Sequence, residues 1–257
     1  MTQFFAGVKK EILELLKTYR IIAFVGGFVF ISILNPILIW LLPKFAQSLE
    51  IEGVALFVFT QEHALASFLS ECFQTGLLVM LISMTRAAGG DQKNKTCILP
   101  ITLGFKKETY IYSKFAVYPV FAFFITLITF FIAYAVSYPL FAIKVNLFDI
   151  APNLIAICVL ISFSAILVLA MGCITGRGGI SAASVILLFM FLEPILNVLQ
   201  INHYNPLALA RIAREVVNYH TIEQQIELVA SVGITFAISA LLIILTTKIF
   251  KNKHITS

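Results

Sequence analysis

The chain has 257 residues, of which 60% are hydrophobic and only 12% charged, against about 45–50% and about 25% in ordinary soluble domains. With a mean hydropathy of +0.98, a water-soluble fold would leave large apolar patches exposed. Soluble, disordered and disulfide-stapled secreted classes are therefore excluded, and the net charge of +5 matters through its placement rather than its size.

Residues 1–20 come before the first long apolar run. Phe5, Val8, Ile12, Leu15, Leu16 and Tyr19 fall near one face at helical spacing, with Lys9, Lys10, Glu11, Glu14 and Lys17 opposite. That pattern predicts an amphipathic helix lying in the membrane interface. A bilayer core of about 30 Å needs about 20 apolar residues per crossing helix. The run at about 21–42 meets that length, exceeds what a signal peptide uses, and is expected to be retained. Five more runs qualify, at about 64–84, 115–143, 153–175, 180–199 and 228–250. None alternates with period two, so barrel strands are excluded. The fold class is all-α: a single transmembrane domain over 1–257 with six spans.

Details along these runs carry further expectations. Pro119 and Pro139 lie near the ends of the third and predict a kink or an exit from the membrane there. Gly26 and Gly27 in the first run, and the Gly172/Gly176 pair in the fourth, predict close helix contacts. Cys72, Cys97, Cys158 and Cys173 have no metal-binding spacing and read as packed free thiols. His63 and His203 lie outside the spans without the companions a metal site needs. Glu71 and Glu193 lie inside spans, at similar depths below the same face: each is either a candidate to line a substrate pathway or a protonated acid bonded to a neighbouring helix, Glu193 also to the backbone freed by Pro194.

Two connections stand out. The loop at 85–114 is basic, too small for a core of its own, and suited to docking on a protein or on anionic lipid. The segment 203–220 opens with Asn205-Pro206, a helix start, and predicts a short outer helix through Leu207, Leu209, Ile212, Val216 and Tyr219.

Basic residues set the orientation. Residues 1–20, the 85–114 loop, Arg177 and the tail from Lys248 together hold fourteen of the 18, leaving Lys44, Lys144, Arg211 and Arg214 on the other side. By the positive-inside rule both termini are expected to be cytoplasmic, in a multi-pass protein of a cell membrane. Asn94-Lys95-Thr96 then lies on the wrong side for glycosylation.

The interfacial helix, the basic loop and the short helix before the last span together resemble the membrane subunit of a type-2 ATP-binding-cassette exporter. Members have an elbow helix before the first span and a coupling helix between the second and third. Many carry there an acidic residue, a threonine, a leucine-rich run, a proline, a basic residue and a lysine opening the third span. Asp91, Thr96, Ile98, Leu99, Lys107 and Lys114 fall at suitable spacing; Gly104 stands where proline is usual, and Pro100 lies upstream.

The resemblance implies that this loop couples to a cytoplasmic ATPase subunit, two copies per complex, which binds ATP and Mg. No G-x-x-x-x-G-K-[ST] motif occurs in this chain, so no cofactor is expected in it. A second permease copy or a homologous sister is implied, with the lipid bilayer as surroundings and no nucleic acid. The acids Glu50, Glu52, Glu62, Glu71 and Glu193 near the outer side favour a cationic amphipathic peptide as cargo. Lipid, drug and polysaccharide are the family's alternatives. No span contains an Asp, an HExxH or a paired Ser and His, which argues against an intramembrane enzyme, and no internal repeat points to an ion-coupled carrier.

Overall fold

The computed structural model describes residues 2–48, 59–93, 96–97, 100, 102, 104–198, 203–214 and 222–252. Among them there are helices and no strands. In chain order these are α1 (Thr2–Lys17), α2 (Tyr19–Ser48), α3 (Gln61–Glu71), α4 (Leu77–Thr85), α5 (Asp91–Lys93), α6 (Lys107–Leu140), α7 (Leu147–Thr175), α8 (Gly178–Val198), α9 (Ala208–Arg214) and α10 (Ile222–Asn252). Six helical stretches are long and apolar enough to cross a membrane: Ile21–Phe45, Gln61–Gly90, Lys107–Leu140, Leu147–Thr175, Gly178–Leu196 and Ile222–Asn252. The chain is a multi-pass membrane protein, and six crossings leave the Thr2 and Asn252 ends of the described residues on one face, here called the terminal face.

Local chemistry sets the helix ends. Thr60 caps α3 in a capping box, its hydroxyl accepting from the His63 amide while its own amide donates to His63 Nδ1. Asn205 Oδ1 accepts from the Ala208 amide at 2.8 Å and starts α9. Gly176 stops α7 in the left-handed region at φ 69°, its amide donating to the Gly172 carbonyl. Gly176 is thus a terminator, while Gly172 is a packing glycine.

Three boundaries differ from the sequence reading. The second span is not a plain α-helix: π-helical turns at Cys72–Gly76 and Arg86–Gly90 link α3, α4 and α5 into one rod. The third begins at Lys107, so the residues up to Lys114 belong to a helix and not to the basic loop. Pro119 leaves α6 continuous, while Pro139 falls next to its end at Leu140. A proline removes one backbone donor but a long apolar helix tolerates that where neighbours pack around it.

The core lies around α7. Its most apolar window is 78% buried, against 22% for the first span, 24% for the fifth and 17% for the last. α7 is therefore the hub, with α2, α8 and α10 at the periphery. Close approach to that hub depends on missing side chains. A Cβ on Gly172 would sit 1.8 Å from the Ala88 carbonyl oxygen, and one on Gly178 would sit 1.6 Å from that of Thr85. The π-turn at Arg86–Gly90 thus rests directly on the turn joining α7 to α8. All four cysteines are buried free thiols.

Candidate functional site

Where α1, the end of the second span and the start of α6 meet on the terminal face, the fold buries a network of charges. Tyr110, Lys114 and Tyr118 recur every four residues along one face of α6 and all three are buried. Lys114 Nζ lies 2.6 Å from Asp91 Oδ2, 3.6 Å from Glu11 Oε2 and 3.1 Å from the Ala87 carbonyl oxygen. Tyr110 donates its hydroxyl to the same Asp91 oxygen at 2.7 Å, and Tyr118 donates to Glu11 Oε2 at 3.3 Å. Glu11 and Asp91 are buried with the lysine, so each charge has a partner inside the protein, as burial demands.

An outer ring continues from this centre. Lys10 pairs with Glu11 at 2.9 Å and Glu14 at 3.3 Å, and Arg86 reaches Glu14 at 3.6 Å. Burial pushes the Asp91 carboxyl up, but the charge and hydrogen bond of Lys114, with the Tyr110 hydrogen bond, outweigh it and hold Asp91 below its ordinary value. Carboxylate oxygens of Glu11, Glu14 and Asp91 lie within 4.8 Å of one another, a cluster that could hold a metal ion. The ammonium of Lys114 already sits between Glu11 and Asp91, so the arrangement is an ion-pair network.

The network anchors the connection between the second and third spans. Thr96 donates to Asp91 Oδ1 at 3.2 Å and to the Asp91 carbonyl at 3.3 Å. The Cys97 amide donates to the Asp91 carbonyl, and Gln92 donates to the Cys173 carbonyl of α7. Farther on, the Phe105 amide donates to the Pro100 carbonyl, and Gln3 of α1 donates to the Gly104 carbonyl. Gly104 is exposed with φ 91°, a conformation that glycine adopts without strain. Lys107 opens α6 and donates to the Lys251 carbonyl at the end of α10.

Of the residues predicted to couple, Asp91 and Thr96 come together with Lys114, while Pro100, Gly104 and Lys107 lie along the same connection. Ile98 and Leu99 fall outside the described residues. Glu11, Tyr110 and Tyr118 were not foreseen. Two of these carry a signal in the sequence, the four-residue spacing of Tyr110 and Tyr118 about Lys114. The helical pattern groups Glu11 with the polar face of α1, and the structure turns it into the protein against Lys114.

The second candidate region lies at mid-depth, beside the π-turn at Cys72–Gly76. Gln74 and Thr75 are exposed there, and with Phe73, Leu78, Phe189 and Met190 they line a cleft of about 430 Å³ between the second span and α8. Thr75 donates to Glu71 Oε2 at 2.8 Å, placing that carboxylate at the edge of the cleft. Arg214 of α9 packs over the Phe73 ring, its guanidinium carbon 5.0 Å from the centroid. α9 is sunk among the spans, Asn153 of α7 donating to the Ile212 carbonyl at 2.8 Å. The side chain of Glu193, along with Glu50, Glu52, Val216 and Tyr219, lies outside the described residues.

No protein-family model matches this chain, and no curated protein matches it either.

Proposed function

We propose that the chain is the permease subunit of an ATP-driven exporter of the type-2 ATP-binding-cassette kind. It forms half of a translocation pathway, and a second copy or a homologous sister supplies the other half. ATP and Mg are bound by a separate ATPase subunit, which docks on the connection between α5 and α6. Both termini and that connection are cytoplasmic, in the membrane of a bacterial cell. One observation carries the reading: Asp91, Thr96 and Lys114, spread over 24 residues of sequence, converge on one buried network that fixes the root of the connection to α1. A loop pinned at its base by buried ion pairs transmits force to the helices it joins; a solvated loop needs no such anchor.

The cargo is a hydrophobic or amphipathic molecule, with a cationic amphipathic peptide favoured over lipid, drug or polysaccharide. The support is Glu71 with Gln74 and Thr75 on an outward-facing part of a span, where lipid contact would be costly and a polar pathway would not be.

Copurification tests the reading. The intact chain is expected to bring down an ATP-hydrolysing subunit, and deletion of residues 97–107 to abolish the pairing while the six spans still fold. Pairing that survives the deletion, or no ATPase at all, overturns it. For the pathway, Glu71→Gln and Glu71→Ala are expected to lower export of a cationic peptide. Unchanged export in both removes Glu71 from the pathway.

A further inference from the structure

α1 carries three lysines and two glutamates in sixteen residues, and packing sorts them onto different sides. Glu11 is fully buried against α6, and Glu14 is mostly covered and paired with Lys10 and Arg86. Both acids are thereby removed from the outward face. What remains there is apolar and basic: Phe5 is 66% exposed, Leu16 63%, and Ile12 and Leu13 43% each, with exposed Lys9 and Lys17 beside them. Four large apolar side chains on one exposed helical face would be unfavourable in water. The helix is also tied to the bilayer: α2 begins at Tyr19, one residue after Thr18, and its crossing stretch begins at Ile21.

We propose that the outward face of α1 is a binding surface for anionic phospholipid in the leaflet at the terminal face. Phe5, Ile12 and Leu16 enter the acyl boundary while Lys9 and Lys17 take the headgroup charge. The charge complementarity commits the occupant. A neutral bilayer would satisfy the apolar side chains alone, but a face that keeps its lysines and buries its glutamates against Lys114 and Arg86 selects anionic lipid. Each lysine at such a surface is worth a factor of roughly five. The opposite side of the same helix holds Lys114 at the root of the α5–α6 connection, so lipid bound on one side bears on the network on the other.

The test uses the full-length chain with Leu16→Cys spin-labelled; the four native cysteines are buried and spared. It is reconstituted in nanodiscs of phosphatidylcholine alone or with graded phosphatidylglycerol, and the label's accessibility to oxygen and to a nickel chelate is compared. Phosphatidylglycerol is expected to raise oxygen access and lower nickel access, and high salt to reverse this. In Lys9→Gln and in Lys17→Gln, the phosphatidylglycerol fraction giving half of the change is expected to shift upward, and in the double variant to shift further. Equal immersion in both lipids would mean simple apolar anchoring and overturns the proposal. A label that stays nickel-accessible throughout would mean that water or a protein partner covers the face, and overturns it too. So does a lipid response unchanged in the double Lys→Gln variant whose thermal unfolding matches the parent.

Discussion

Lys114 is the shared cation of the buried network at the terminal face. Replacing it with Met leaves Asp91 and Glu11 buried without their shared cation, and breaking a buried pair this way costs about 3–5 kcal/mol. Reaction of a thiol-specific fluorophore with the four buried cysteines reports unfolding directly. Lys114→Met is expected to lower the unfolding midpoint sharply, and adding Asp91→Asn to recover part of the loss, since the two side chains touch and their effects do not add. A double variant no better than the single one would place the loss elsewhere.

Asp91 adds a pH dependence. Its carboxyl is held below the ordinary aspartate value of about 3.9, so its pairing stabilises the fold fully at neutral pH and is lost as pH falls from about 4 through the lowered value. The midpoint should therefore drop on acidification more steeply in the parent than in Asp91→Asn; parallel declines would clear Asp91 of that role. The acid and the lysine could be picked out in the sequence as members of a pattern. That Lys114 is buried could not, because its partner Glu11 belongs to a different helix, and an amphipathic pattern alone does not say which polar residues turn toward protein.

At the scale of elements, the π-turn at Arg86–Gly90 and the α7–α8 turn meet backbone to backbone. Gly178→Ala puts a methyl group on the Thr85 carbonyl and Gly172→Ala puts one on that of Ala88. Overpacking of this kind costs typically about 1–3 kcal/mol, and here the obstacle is backbone and cannot swing away. Gly26 is the internal control: a Cβ there meets nothing within 4 Å, and Ala is the better helix former by about 1 kcal/mol. In the same thiol assay, Gly178→Ala and Gly172→Ala should unfold at lower temperature while Gly26→Ala holds or gains. Equal behaviour of all three would remove steric closeness as the reason for glycine. The sequence marked Gly172 through its spacing to Gly176, yet Gly176 serves as a helix stop and the true second partner is Gly178, in the next helix. Spacing within one helix finds such a pair only when both glycines lie on that helix.

For the whole molecule, six crossings were legible because a bilayer demands long apolar runs, and nothing else among the described residues imitates them. Which span forms the hub was not legible, since lipid-facing and protein-facing surfaces are both apolar and hydropathy does not separate them. Polar residues do separate them, and the second span supplies the means. Thr75 lies fourteen residues from the Gln61 end of its span, roughly 20 Å down at about 1.5 Å per residue. Ile128 of α6 lies twelve residues from the Leu140 end, at a similar depth, and is 52% exposed. If the face bearing Gln74 and Thr75 borders a wet pathway between two permease halves, a cysteine there ionises and reacts, because the thiolate needs water. A cysteine in contact with lipid stays a thiol. Thr75→Cys should therefore be modified by a charged, membrane-impermeant thiosulfonate added from the face opposite the termini, and Ile128→Cys should not. A Glu71→Gln background should slow the reaction of a positively charged reagent more than that of a negatively charged one. Equal inertness at both positions would place the polar patch against protein or lipid, and the pathway would have to be sought along another pair of helices.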